Sequence, residues 1–264
     1  MVKPGSAIML LSRYILWLSL CAASLAAHAA EINVAVATNF LATARILTQR
    51  FEMDSGHRVH LISGSTGKLV TQIKQGAPFD VLLAADAEHP RLLEAQGLAV
   101  QGSRFTYAVG RLVLWGAQPG ALEPQTLLNS GNFRHLAIAN PDIAPYGKAA
   151  RQVLRKLNLW NAMQARLVQG EDVGQTFQFV ASGNAELGFV ALAQVISLSE
   201  PQRNNYWIVP QELYEPIDQQ AVLLTRAADK PAARALFSYL ESNEARALVR
   251  QRGYMAASEL DYSE

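Results

Sequence analysis

Cysteine is nearly absent from this chain: of 264 residues, only Cys21 carries a thiol. Disulfide staples are therefore excluded, and stability has to come from packing. An excess of charge is missing too. Lys and Arg number 23 and Asp and Glu 22, with no long basic run, so nucleic acid finds no electrostatic footprint. No apolar stretch after Ala30 reaches membrane-spanning length. Internal repeats and low-complexity linkers are lacking. So are the common catalytic signatures. No G-x-S-x-G elbow surrounds a serine. "GSTGKL" hints at a phosphate loop, but Gly64 and Gly67 stand too close and Lys68 is followed by Leu69 rather than Ser or Thr. His57, His60, His89 and His135 have no carboxylate pair at ligand spacing, which leaves no metal site in the pattern. Asp80, Asp86 and Glu88 could form a catalytic carboxylate pair. Asp80 opens a strand, however, and Asp86 and Glu88 sit where a helix cap belongs.

What is present begins with a leader. Lys3 and Arg13 precede the apolar "YILWLSLCAASLA", and "AHA" at 27–29 is a small-x-small cleavage site. These features predict a secretory signal peptide over residues 1–29, cut after Ala29 or Ala30. Cys21 lies inside it, and Leu20 before it argues against a lipoprotein anchor. The mature chain then keeps 21 basic against 22 acidic residues and no thiol, which suits an exported protein.

Strand and helix patterns alternate after the leader. "INVAVA", "RVHLIS", "FDVLLAA", "RHLAIAN", "ARLVQG" and "AELGFVAL" read as strands, most of them followed by a run with helical spacing. This order implies largely parallel sheets with helices on both faces. The run "RFTYAVGRLVLWGA" (104–117) and the strand around 217–225 are both extended and apolar, and each could pass from one sheet into another. That predicts two α/β lobes, residues 30–108 with 221–264 and residues 109–220, facing each other across a cleft. One continuous doubly wound domain is the alternative.

Ligands of open α/β folds sit beyond the carboxyl ends of the strands. Four strand-to-helix junctions there are alike: Ala37-Thr38-Asn39, Ser63 to Gly67, Asn140 to Gly147, and Gly170 to Gly174. Each opens a helix whose first N–H groups lack intrahelical partners and carry part of the helix dipole. Two belong to each lobe, so lobe closure would aim four helix starts at one point, an arrangement suited to a small anion. Hydroxyls come from Thr38, Ser65, Thr66 and Tyr146, an amide from Asn39, and backbone N–H groups from 39, 66 and 173. Neutral donors avoid the cost of a buried, unpaired cation when the site is empty. At about 1.5–3 kcal/mol for each buried hydrogen bond to a charged acceptor, six or so could hold a dianion at micromolar affinity or better. The plainer reading of each junction is an ordinary N-cap.

At these junctions the chain resembles the periplasmic molybdate-binding proteins of ABC transporters. The match is carried by "VATNFLATARIL", "SGSTGKLVTQIKQGAPFDVLLAAD", "GSRFTYAVGRLVLW", "IANPDIAPYGKAARQVL", "EDVGQTFQFVASGNAELGFVALAQV" and "YEPIDQQAVLL", in that order along nearly the whole mature chain. The resemblance implies a two-lobed periplasmic-binding-protein fold of type II, with two mixed sheets joined by two crossover strands. It implies capture of molybdate and tungstate by hydroxyls and backbone amides, without catalysis, cofactor or direct metal ligation, and delivery to an inner-membrane permease with a cytoplasmic ATPase. A monomer in the periplasm is expected. Carried over by position, the ligand-binding residues are Thr38, Asn39, Ser65, Thr66, Tyr146 and Val173. Some family members place a ligand tyrosine after the strand at 186–190. Here that stretch is "GFVALAQ", so the "APYG" tyrosine replaces it. A receptor for sulfate or another tetrahedral oxyanion, and an exported enzyme using Asp86 or Glu88, are the alternatives.

Overall fold

The computed structural model describes residues 29–118, 123–200 and 202–256. The expected leader, with Cys21, lies outside them apart from Ala29. In chain order the main elements are β1 (Glu31–Ala37), α1 (Leu41–Ser55), β2 (Arg58–Gly64), α2 (Thr66–Lys74), β3 (Val81–Leu83), α3 (Glu88–Ala95), β4 (Phe105–Gly110) and β5 (Leu112–Trp115). There follow α4 (Pro124–Ser130), β6 (Leu136–Ala139), α5 (Pro145–Lys156), α6 (Trp160–Met163), β7 (Leu167–Gly170), α7 (Val173–Ala181), β8 (Leu187–Ala191) and α8 (Leu192–Val195). The chain ends with β9 (Tyr206–Ile208), β10 (Ile217–Leu223), α9 (Pro231–Leu240) and α10 (Asn243–Gln251).

The strands form two five-stranded sheets, ordered β2-β1-β3-β10-β4 and β7-β6-β8-β5-β9. In the first, β1 runs parallel to β2 and β3, while β10 runs antiparallel to β3 and β4. The second repeats the plan: β6 is parallel to β7 and β8, and β5 is antiparallel to β8 and β9. Central strands such as "VLL" of β3 and "LAIA" of β6 are buried on both faces, as helices on each side require. One core cluster fills the second lobe around Trp115, Leu136, Val153 and Phe189; another fills the first around Leu69, Leu82, Leu93 and Val222.

The chain passes between the sheets twice. The long β-rich run divides at Arg111, with β4 in the first sheet and β5 in the second. The return lies between Ile208 and Ile217, and β10 belongs to the first sheet along its whole length. The first passage falls just past the 108/109 division drawn on pattern alone, but the strand around 217–225 does not cross: the return precedes it, and 217–220, placed in the second lobe by the 220/221 division, pair in the first sheet. The C-terminal helices α9 and α10 pack on α1 of the first lobe. Local chemistry sets the helix limits: α1 stops at Gly56 in the left-handed region (φ 72°), and Pro124, Pro145 and Pro231 open α4, α5 and α9.

Candidate functional site

Where the lobes meet, four helix starts converge on one small cavity. The first lobe contributes Ala37, Thr38 and Asn39 after β1, Gly64, Ser65 and Thr66 between β2 and α2, and Ala85. The second contributes Ala144, Pro145 and Tyr146 at the start of α5, and Asp172 and Val173 at the start of α7. The six residues singled out by sequence, Thr38, Asn39, Ser65, Thr66, Tyr146 and Val173, all lie on its wall.

Three of these four helix starts have no side-chain cap, so the plain N-cap reading does not account for their polar residues. Ser65 is only 3% exposed, yet its Oγ has no hydrogen-bond partner. Thr66 Oγ1 accepts a bond from the Ala85 N–H at 3.0 Å, which leaves its own proton to donate. Tyr146, 2% exposed, accepts at its hydroxyl from Gln219 Nε2 at 3.3 Å. Asp172 alone acts as a cap: its Oδ1 accepts from the N–H groups of Gly174 (2.8 Å) and Gln175 (3.0 Å). That leaves the Val173 N–H, at the first position of α7, without a partner inside the helix. The Asn39 amide points away from this task. Its Nδ2 donates to Gln219 Oε1 (2.9 Å) and to Tyr254 Oη (3.4 Å), so Asn39 can serve a ligand through its backbone N–H.

Among the described residues no Lys or Arg lines the cavity, and Asp172 is the one charged side chain that does. Its Oδ2 accepts from Thr38 Oγ1 at 2.9 Å, a bond that crosses from lobe to lobe. The Gly67 N–H donates to Ile143 O at 3.0 Å and Lys68 pairs with Glu171 at 2.6 Å, also across the cleft. The lobes are thus closed, and the free volume of this small cavity is about 10 Å³. A larger cavity of about 290 Å³ adjoins it and shares Ala85, Ala144 and Pro145. Its wall holds Asp86, Glu88, Asp142, Glu215 and Asp218 against Lys148 and His89, a poor lining for an anion, so size does not pick the site. Burial pushes the Tyr107, Tyr146 and Tyr254 hydroxyls well up from the ordinary phenol range, which keeps all three protonated as donors.

Of the carboxylates weighed for catalysis, Asp86 and Asp80 have structural partners. Asp86 accepts from the His89 N–H at 2.9 Å and pairs with His89 Nδ1 at 2.8 Å; that carboxylate also raises the imidazole pKa. Asp80 is fully buried, accepts from the Asn33 N–H at 2.9 Å and pairs with Lys230 at 2.7 Å. Sequence reasoning missed Asp172 as a side chain facing the cavity, although "EDVGQ" marks it as an N-cap. It also missed Gln219, Tyr107 and Tyr254, for which no local motif speaks.

Residues 32–255 match the family described as bacterial extracellular solute-binding protein. The chain is 50% identical to the molybdate-binding protein ModA of Azotobacter vinelandii over 92% of its own length and 97% of that protein's. It is 43% identical to ModA of Rhodobacter capsulatus over 88% of this chain and 91% of the relative. Among solved structures, the periplasmic molybdate-binding protein of Azotobacter vinelandii superposes with a TM-score of 0.81 at 44% identity, covering 85% of this chain and 99% of that one.

Proposed function

Because this chain belongs to the bacterial extracellular solute-binding protein family, we propose that it captures molybdate and tungstate in the closed cleft and delivers them to an ABC permease. The observation that carries the reading is the donor set on one cavity. Buried hydroxyls of Ser65, Thr66 and Tyr146 and the Val173 N–H converge from both lobes with no cation among them. A tetrahedral dianion supplies the acceptors these groups lack, and the helix starts add favourable potential. The protein acts by binding alone, in the periplasm, as a monomer; its ligand is cargo, and no resident cofactor is needed.

Sulfate carries the same charge as molybdate, so charge does not separate them. Size does: donors fixed at the spacing of longer metal–oxygen bonds hold a smaller ion with stretched contacts. Titration calorimetry with molybdate, tungstate, sulfate and phosphate tests this. Molybdate and tungstate are expected to bind at micromolar affinity or better, with sulfate weaker by about two orders of magnitude, or ~2.7 kcal/mol. Equal affinity for sulfate makes the protein a general oxyanion receptor instead.

A further inference from the structure

Gln219 is fully buried on β10, beside the register shift that separates it from Gln220, and no ordinary packing demand calls for an amide there. Its two ends face two different parts of the site. Oε1 accepts from Asn39 Nδ2 at 2.9 Å and from Tyr107 Oη at 3.1 Å. Nε2 lies 3.3 Å from Tyr146 Oη on the second lobe. Asn39 is itself tied down, since Tyr254 Oη donates to its carbonyl at 2.8 Å. Gly110, at the chain's first passage between sheets, makes the room: a Cβ there would lie 2.3 Å from Tyr146 Oη and 2.7 Å from Gln219 Nε2.

We propose that Gln219 is a positioning residue that sets the direction of the Tyr146 hydroxyl, so that Tyr146 donates to the bound oxyanion only when Gln219 donates to Tyr146. The argument follows the protons. A primary amide has one acceptor end and one donor end. Tyr254 spends its proton on the Asn39 backbone carbonyl, so its oxygen accepts from Asn39 Nδ2, and the same NH₂ meets Gln219; that end of Gln219 is therefore the carbonyl. Tyr107 Oη, whose one proton is shared between Ala84 O at 3.0 Å and Gln219 Oε1 at 3.1 Å, adds to this without deciding it. The other end is then NH₂, and Tyr146 Oη must accept from it. A phenol has a single proton. With its oxygen occupied as acceptor, that proton turns away from Gln219 toward the cavity that Tyr146 lines. The same amide thereby couples the lobes, because Asn39 and Tyr107 belong to the first and Tyr146 to the second. Reversing its polarity would turn the proton back and remove a donor from the site.

This inference rests on the oxyanion reading, and its test separates the two. Calorimetry with molybdate is run on the wild type, Gln219→Met, Tyr146→Phe and the double variant, with thermal melts of each empty protein. Each single change is expected to weaken binding about thirtyfold, and the double change no more than either alone, as coupled residues require. Gln219→Leu lacks both ends of the amide and carries no titratable group. It is expected to bind as weakly as Gln219→Met, and it serves as the readout if the methionine variant does not fold. Losses that multiply in the double variant, or wild-type affinity in either Gln219 variant, overturn the positioning role while the receptor reading stands. A wild type that binds none of the four oxyanions overturns both.

Discussion

At the scale of single residues, Ser65 and Thr66 are neighbours with the same functional group and different debts to the fold. Thr66 Oγ1 satisfies the buried Ala85 N–H, whereas Ser65 Oγ satisfies nothing. A buried hydroxyl without a partner destabilises the empty protein by about 1–3 kcal/mol. Ser65→Ala is therefore expected to leave the melting temperature of the empty protein unchanged or raised, while molybdate affinity falls about tenfold or more. Thr66→Val removes a proposed ligand donor and orphans the Ala85 N–H, so it should lower both. Melts of the empty variants beside calorimetry distinguish the two, and a Ser65→Ala protein that binds as the wild type does would remove Ser65 from the donor set.

At the scale of elements, the helix starts were legible because their signals are local. Small polar residues between an apolar strand and a helical run, as in "SGSTGK", announce themselves in any order of strands. The division of 104–117 at Arg111 was less legible: the apolar pattern runs straight through, and only the requirement for space beside Tyr146 explains why Gly110 stands there. Helix α4 went unread despite Pro124 at its start and Gly131 (φ 65°) at its end, because seven residues carry too little periodicity to stand out. Gln219 was beyond reach, since strand pairing across more than a hundred residues brings it to Tyr107. Gly174 carries a further consequence for α7. A Cβ there would lie 2.2 Å from Thr38 Cγ2 on the opposite lobe. Ala favours helix over Gly by up to about 1 kcal/mol, so α7 itself should not suffer from Gly174→Ala. The lobes must part, or Thr38 must leave its rotamer and with it Asp172. The expected result is an empty protein that melts no lower than the wild type, an increased radius of gyration in X-ray scattering, and molybdate affinity reduced about thirtyfold, or ~2 kcal/mol. Unchanged affinity would mean that the bound state does not bring α7 this close to Thr38.

At the scale of the whole molecule, closure is written in one buried hydrogen bond, Gln219 to Tyr146, and two between half-buried residues, Thr38 to Asp172 and Gly67 to Ile143. The exposed Lys68–Glu171 pair adds the kind of contact that contributes little in water. Three buried phenols, Tyr107, Tyr146 and Tyr254, stand around this junction, and burial raises each above its ordinary value near 10. The sign of the linkage follows. The unfolded chain loses these protons first as the solution becomes alkaline, so the stability from burying neutral phenols is complete below pH ~10 and declines above it. Each phenol contributes a slope of up to ~1.4 kcal/mol per pH unit in that range. Urea denaturation between neutral pH and pH ~11 should show a plateau and then a fall, and Tyr146→Phe should reduce the slope by one phenol's share. Molybdate affinity should stay level up to pH ~10, because the folded protein still holds the Tyr146 proton where a free phenol is half ionised. A loss of affinity centred at the ordinary phenol value would show instead that Tyr146 meets water in the binding-competent state, and that the junction is open when the ion arrives.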